Sequence, residues 1–97
     1  MLHQVNVAVQ VLPSSTAKHP YAIVDHAIKL IQESGIRYRV CPFETVLEGN
    51  YDEIMILVKR IQIECLANGA DKLLTFIKIE VSGSSDVRIE DKTGKYD

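Results

Sequence analysis

From His3 to Val11, the odd positions His3, Val5, Val7, Val9 and Val11 alternate with Gln4, Asn6, Ala8 and Gln10. A period of two marks a strand with one valine face to bury. Pro13, Ser14 and Ser15 are expected to end it. Pro20 suits the first turn of a helix, where its missing N–H has no intrahelical partner to lose. Val24, Ala27, Ile28 and Ile31 then recur at helical spacing, and Gly35 supplies a stop. A helix is therefore expected from about Pro20 to Ser34. Alternation returns over Ile36 to Pro42, and Glu44 to Glu48 forms a shorter strand closed by Gly49-Asn50. Asn50 followed by Glu53 has the spacing of an N-cap answered by a carboxylate. The second helix starts near Tyr51, with a core stripe of Ile54, Leu57, Val58, Ile61 and Cys65, and Gly69 after its end. Leu73 to Val81 is the last strand, and residues 82–97 are expected to be a loosely ordered tail.

The order β, α, β, β, α, β with short connections predicts an α+β, ferredoxin-like arrangement: an antiparallel sheet with two helices on one face. The other face is then uncovered. If the strand-one valines and Leu73, Thr75, Ile77 and Ile79 face the helices, the open face carries Asn6, Ala8, Gln10, Leu74, Phe76, Lys78 and Glu80. Leu and Phe beside neutral amides make it a candidate association surface.

With 97 residues and 46% hydrophobic content, residues 1–97 form one domain with one core. A core this small gains from burial between copies, which predicts a homo-oligomer. The net charge is −2 and no Lys/Arg block appears, so the basic footprint of a nucleic-acid binder is missing. No apolar run approaches the roughly 20 residues that span a bilayer, and no signal segment opens the chain, so a cytoplasmic protein without a membrane partner is expected. Cys41 and Cys65 lack metal-ligand spacing and read as free thiols, so neither a metal nor a cofactor is expected. His3, His19 and His26 have no nucleophile partner, so no enzyme is predicted.

Candidate chemistry concentrates at Phe43, Glu44, Thr45 and Glu48, where two strands turn over. Carboxylates near Tyr38, Phe43, Tyr51 or Phe76 would suit an organic cation. Equally, Glu44 and Glu48 could pair with Arg37 or Arg39 across the strands, each exposed pair contributing less than about 1 kcal/mol.

Several segments taken together, VxVLPSS from Val9, SGIRYRVCPFETVLEG ending at Gly49, Asn68-Gly-Ala-Asp71, Phe76-Ile-Lys-Ile79 and Ile89-Glu-Asp-Lys-Thr-Gly-Lys-Tyr96, are similar to those of the small thiamine-binding proteins, long catalogued as an uncharacterised family. The resemblance covers about residues 3 to 97. It implies ferredoxin-like subunits in homodimers or homotetramers, binding thiamine or its pyrimidine moiety without chemistry, as carrier or sensor. Asn6, Gln10 and Thr45 would meet an aminopyrimidine and Glu44 or Glu48 a thiazolium, with Ser14, Tyr38 and Phe43 completing the candidate set. Family members often carry Met and Gly where this chain has Phe43 and Glu44, so local pocket chemistry differs there. Two alternatives stand beside this reading. One is a structural or regulatory homo-oligomeric module without a small-molecule ligand. The other is an acylphosphatase-like enzyme, for which the loop PSSTAKHP lacks the expected arginine.

Overall fold

The valine face of the first strand becomes the floor of the core. A computed structural model describes residues 2–97 and places β1 (Val5–Ser14) in the middle of a four-stranded sheet. After it come α1 (Pro20–Glu33), β2 (Arg37–Val40), β3 (Thr45–Gly49), α2 (Tyr51–Ala67) and β4 (Lys72–Glu80). The strand order is β2-β3-β1-β4 and each neighbouring pair is antiparallel. This is the ferredoxin-like α+β arrangement that the element order predicts.

Val5, Val7, Val9 and Leu47 form the sheet side of the core, against Ile23, Ala27 and Ile31 of α1 and Ile54, Leu57, Val58, Ile61 and Cys65 of α2. The α2 stripe matches its periodicity. On α1 the deepest position is Ile23, while Val24 and Ile28 sit half-buried at the flank of the stripe. Asn50 caps α2 through its side chain, which accepts the Glu53 N–H at 3.1 Å. His19 does the same for α1, accepting the Tyr21 N–H at 3.1 Å.

Pro13 does not end β1, which continues to Ser14. Beyond Val9 only β4 flanks the strand, because the β1–β3 pairing ends at Val9↔Thr45. The Ser14 carbonyl faces β4 and accepts the Asp71 N–H at 2.7 Å, so the neighbouring Pro13 nitrogen faces the side that β3 has left. Between β2 and β3 the Cys41 N–H donates to the Glu44 carbonyl at 2.9 Å, closing a tight turn with Pro42 at its second position.

Ile77 and Ile79 lie opposite Val9 and Val7 and so on the helix side, but they are more than a third exposed because the helices do not reach over the edge strand.

The largest departure from expectation is the tail. Residues 82–97 do not trail loosely: α3 (Ile89–Thr93) and a 3₁₀ turn (Gly94–Tyr96) return across the sheet face opposite α1 and α2. The Val87 N–H donates to the Gln4 carbonyl at 3.0 Å, and the Gln4 N–H donates to Asp86 at 2.8 Å. The Ile89 N–H donates to Glu48 Oε1 at 2.6 Å, and Val87 and Ile89 are both buried. The open face is therefore covered over the end carrying Asn6 and Glu48. A polar, glycine-containing segment looks disordered when its partners are the polar side chains of distant strands.

Candidate functional site

Consecutive residues of a strand point to opposite faces, and this sets the geometry of the β2–β3 turn. Thr45 lies opposite Val9 and Val40 on the helix side and is buried. Glu44 faces the open side, where its carboxylate accepts from Lys78 Nζ at 2.9 Å.

On the helix side the turn and α1 enclose a cavity of about 260 Å³. Tyr21, Val24 and Ile28 form one wall, Val11 and Val40 another, and Thr45, Cys41 and Phe43 come from the turn itself. On the open side a groove of about 370 Å³ runs between Gln10, Phe43, Glu44, Phe76 and Lys78 over the small side chain of Ala8. A third space, about 460 Å³, lies between α3 and the sheet, bordered by Arg39, Glu44, Val46, Glu80 and Lys92. Glu44 borders all three.

The eight candidate residues divide accordingly. Gln10, Phe43, Glu44 and Thr45 come together around the turn, with Phe43 82% exposed at the mouth. Asn6 and Glu48 are occupied by the tail. In the orientation that satisfies both neighbours, the Asn6 amide donates to the Val87 carbonyl at 3.0 Å and accepts from Lys92 Nζ at 3.1 Å. Glu48 holds the Ile89 N–H and, at 3.3 Å, the Arg37 guanidinium. Cross-strand pairing with arginine thus describes Glu48, whereas Glu44 takes Lys78. Ser14 ends β1 on the exposed surface, and Tyr38 stands opposite Leu47 on the helix side of β2; neither lines these spaces.

Arg39 turns to the tail, donating to Thr93 at 2.8 Å and to both Asp97 carboxylate oxygens at 2.8 and 2.5 Å. That fork holds the Asp97 carboxyl below the usual aspartate range, first through the hydrogen bonds and then through charge. Tyr21, Val24, Ile28 and Lys78 also line these spaces, and sequence reading does not single them out for a site because a helix flank and an edge lysine carry no motif. Among the described residues no group of three or more His, Cys, Asp and Glu side chains is placed to hold a metal ion. No described helix is long and apolar enough to cross a membrane.

Comparison with known proteins bears on this geometry. The chain is 35% identical over 91 residues to a UPF0045 protein of Clostridium perfringens, covering 94% of this chain and 95% of that protein. It superimposes on a DUF77 domain of unknown function from Bacillus cereus with a TM-score of 0.94 and 41% identity, covering 100% of this chain and 93% of that one. A Thermotoga maritima protein, assigned provisionally to thiamine biosynthesis or salvage, superimposes with a TM-score of 0.87 and 29% identity over 97% of this chain and 99% of that one. A family model described as thiamine-binding protein matches residues 7–97, and the chain belongs to that family.

Proposed function

We propose that this protein binds thiamine or a related aminopyrimidine at the β2–β3 turn, without chemically changing it, as a carrier or sensor. The observation that carries this reading is the pairing of an apolar cavity with polar groups of the right kind at one end. Tyr21, Val24 and Ile28 offer ring-sized apolar contact, and the buried Thr45 hydroxyl offers a neutral donor and acceptor to an aminopyrimidine edge. Glu44 borders the cavity from the turn, with its carboxylate toward the open side, and Phe43 is exposed at the mouth, so a thiazolium reaching out of the cavity would be attracted by the charge of one and the ring face of the other. Membership of a thiamine-binding family and the Thermotoga relative support the same ligand class.

Calorimetric titration with thiamine, its phosphates and hydroxymethylpyrimidine tests the proposal. Binding should be saturable, and ligand at 100 times Kd should add about 2.7 kcal/mol to stability. Thr45→Val should weaken the pyrimidine fragment and thiamine alike by roughly tenfold, the effect of one lost hydrogen bond. Glu44→Gln should weaken thiamine more than the uncharged fragment. No heat and no stabilisation from any of these compounds would sink the reading.

A second reading, a homo-oligomeric interaction module, is favoured by the exposed apolar side chains of β4, among them Leu74 and Phe76.

A further inference from the structure

The register of the sheet sets one row of residues abreast on the open face. Arg39 of β2 lies opposite Val46 of β3, Val46 opposite Ala8 of β1, and Ala8 opposite Lys78 of β4. The two small apolar side chains form a floor. The two long cationic ones stand at its ends, their Cα atoms about 14 Å apart across three strand spacings. α3 adds Ile89, Lys92 and Thr93 from the other side, and together these residues border the space of about 460 Å³ between α3 and the sheet. Three separate elements thus each bring one cation to a single space.

Cations brought together repel unless anions answer them. The protein answers in part: Arg39 pairs with Asp97, Lys78 with Glu44 at 2.9 Å, and Lys92 with Glu80 and, at 3.1 Å, the Asn6 amide. An ammonium has three N–H groups and a guanidinium five. Each cation therefore keeps donors that no described residue accepts. Lys78 and Lys92 are also well exposed, at 77% and 46% of their side chains, and exposed ion pairs hold weakly and exchange readily. Donors converging from three directions suit a group that accepts on several sides. Phosphate is such a group, whereas a planar carboxylate is matched by a single fork.

We propose that this space binds a phosphate ester, with Lys78 and Lys92 on its charged oxygens, Arg39 at the β2 end, and the organic part over Ala8 and Val46.

Two sources share that chemistry. One is a phosphorylated form of the thiamine-type ligand, because Cys41 and Glu44 border both this space and the helix-side cavity. That source rests on the binding reading given above; the site itself does not. The other is a separate small phosphate ester. In both cases Glu44 acts with opposite signs on the two spaces, since its carboxylate attracts a thiazolium and withholds Lys78 from a phosphate.

Calorimetric titration of the whole chain with inorganic phosphate, at constant ionic strength, tests the site directly. Binding should saturate. Lys78→Gln and Lys92→Gln should each weaken it about tenfold, and Glu44→Gln, which releases Lys78, should strengthen it. Lys78 is exposed and paired with Glu44 alone, so its substitution reads binding apart from folding. Lys95→Gln removes the same charge from a tail position outside the space and should change nothing. Absence of saturable binding, or an equal loss in Lys95→Gln, would overturn the proposal. Thiamine and thiamine monophosphate titrated side by side then tell the sources apart. If the ester belongs to the ligand, the monophosphate should bind about tenfold tighter than thiamine, and Lys78→Gln should remove the difference. If it is separate, thiamine and inorganic phosphate should bind together without competing. Phosphate binding with no response to thiamine would keep this site and reject the binding reading, and the reverse result would do the opposite.

Discussion

Glu48 is a charged side chain with about 7% of its surface exposed, satisfied from two directions, by the Ile89 N–H and by Arg37. Removing its charge leaves a buried amide hydrogen bond weakened and a guanidinium unpaired. Glu48→Gln should therefore cost about 2 kcal/mol in urea unfolding. Its effect on thiamine affinity should be small, in contrast to Glu44→Gln, since Glu48 is spent on the fold. Ile61, fully buried between α2 and the sheet, should cost about 2–5 kcal/mol on truncation to Ala. The two thiols differ as their surroundings do. Burial, and secondarily the charge of Glu64, pushes the Cys65 thiol up, while Cys41 sits half-buried in the turn. Because the thiolate is the reactive form, alkylation under native conditions should label Cys41 first and Cys65 only as the protein unfolds, as mass spectrometry would show.

At the scale of elements, the two long helices and four strands were legible because each buries one face, and burial writes its period into the chain. The α2 stripe from Ile54 to Cys65 and the valines of β1 are the clear cases. The tail was not legible. It owes its place to Gln4, Glu48 and Arg39, residues 41 to 82 positions away from their tail partners, and such bonds leave no local pattern. The candidate site was legible in part for the same reason. Phe43, Glu44 and Thr45 announce themselves at a turn, but the helix flank that faces them reads as ordinary core. The tail also carries a pH dependence with a definite sign. Asp97 has its carboxyl depressed by Arg39, so the contact contributes fully above the ordinary aspartate value, near 3.8, and fades as pH falls through the lower folded value. Amide hydrogen exchange in residues 93–97 should accelerate only in that acid window, and unchanged protection throughout it would show that the fork does not hold the segment.

At the scale of the molecule, the β2–β3 turn is a boundary: Thr45 addresses the helix side of the sheet and Glu44 the open side. Adjacent residues of one short segment therefore address two separate surfaces of the sheet. The inequality of the sheet's edges sets a limit of another kind. Growth strand by strand needs an adhesive border at each end of the added unit, and β2, with four residues and the charges of Arg37 and Arg39, does not offer one, whereas the nine-residue β4 exposes large apolar side chains. Growth along the sheet is therefore blocked at the β2 end, and light scattering should reach a plateau as concentration rises rather than climb without bound.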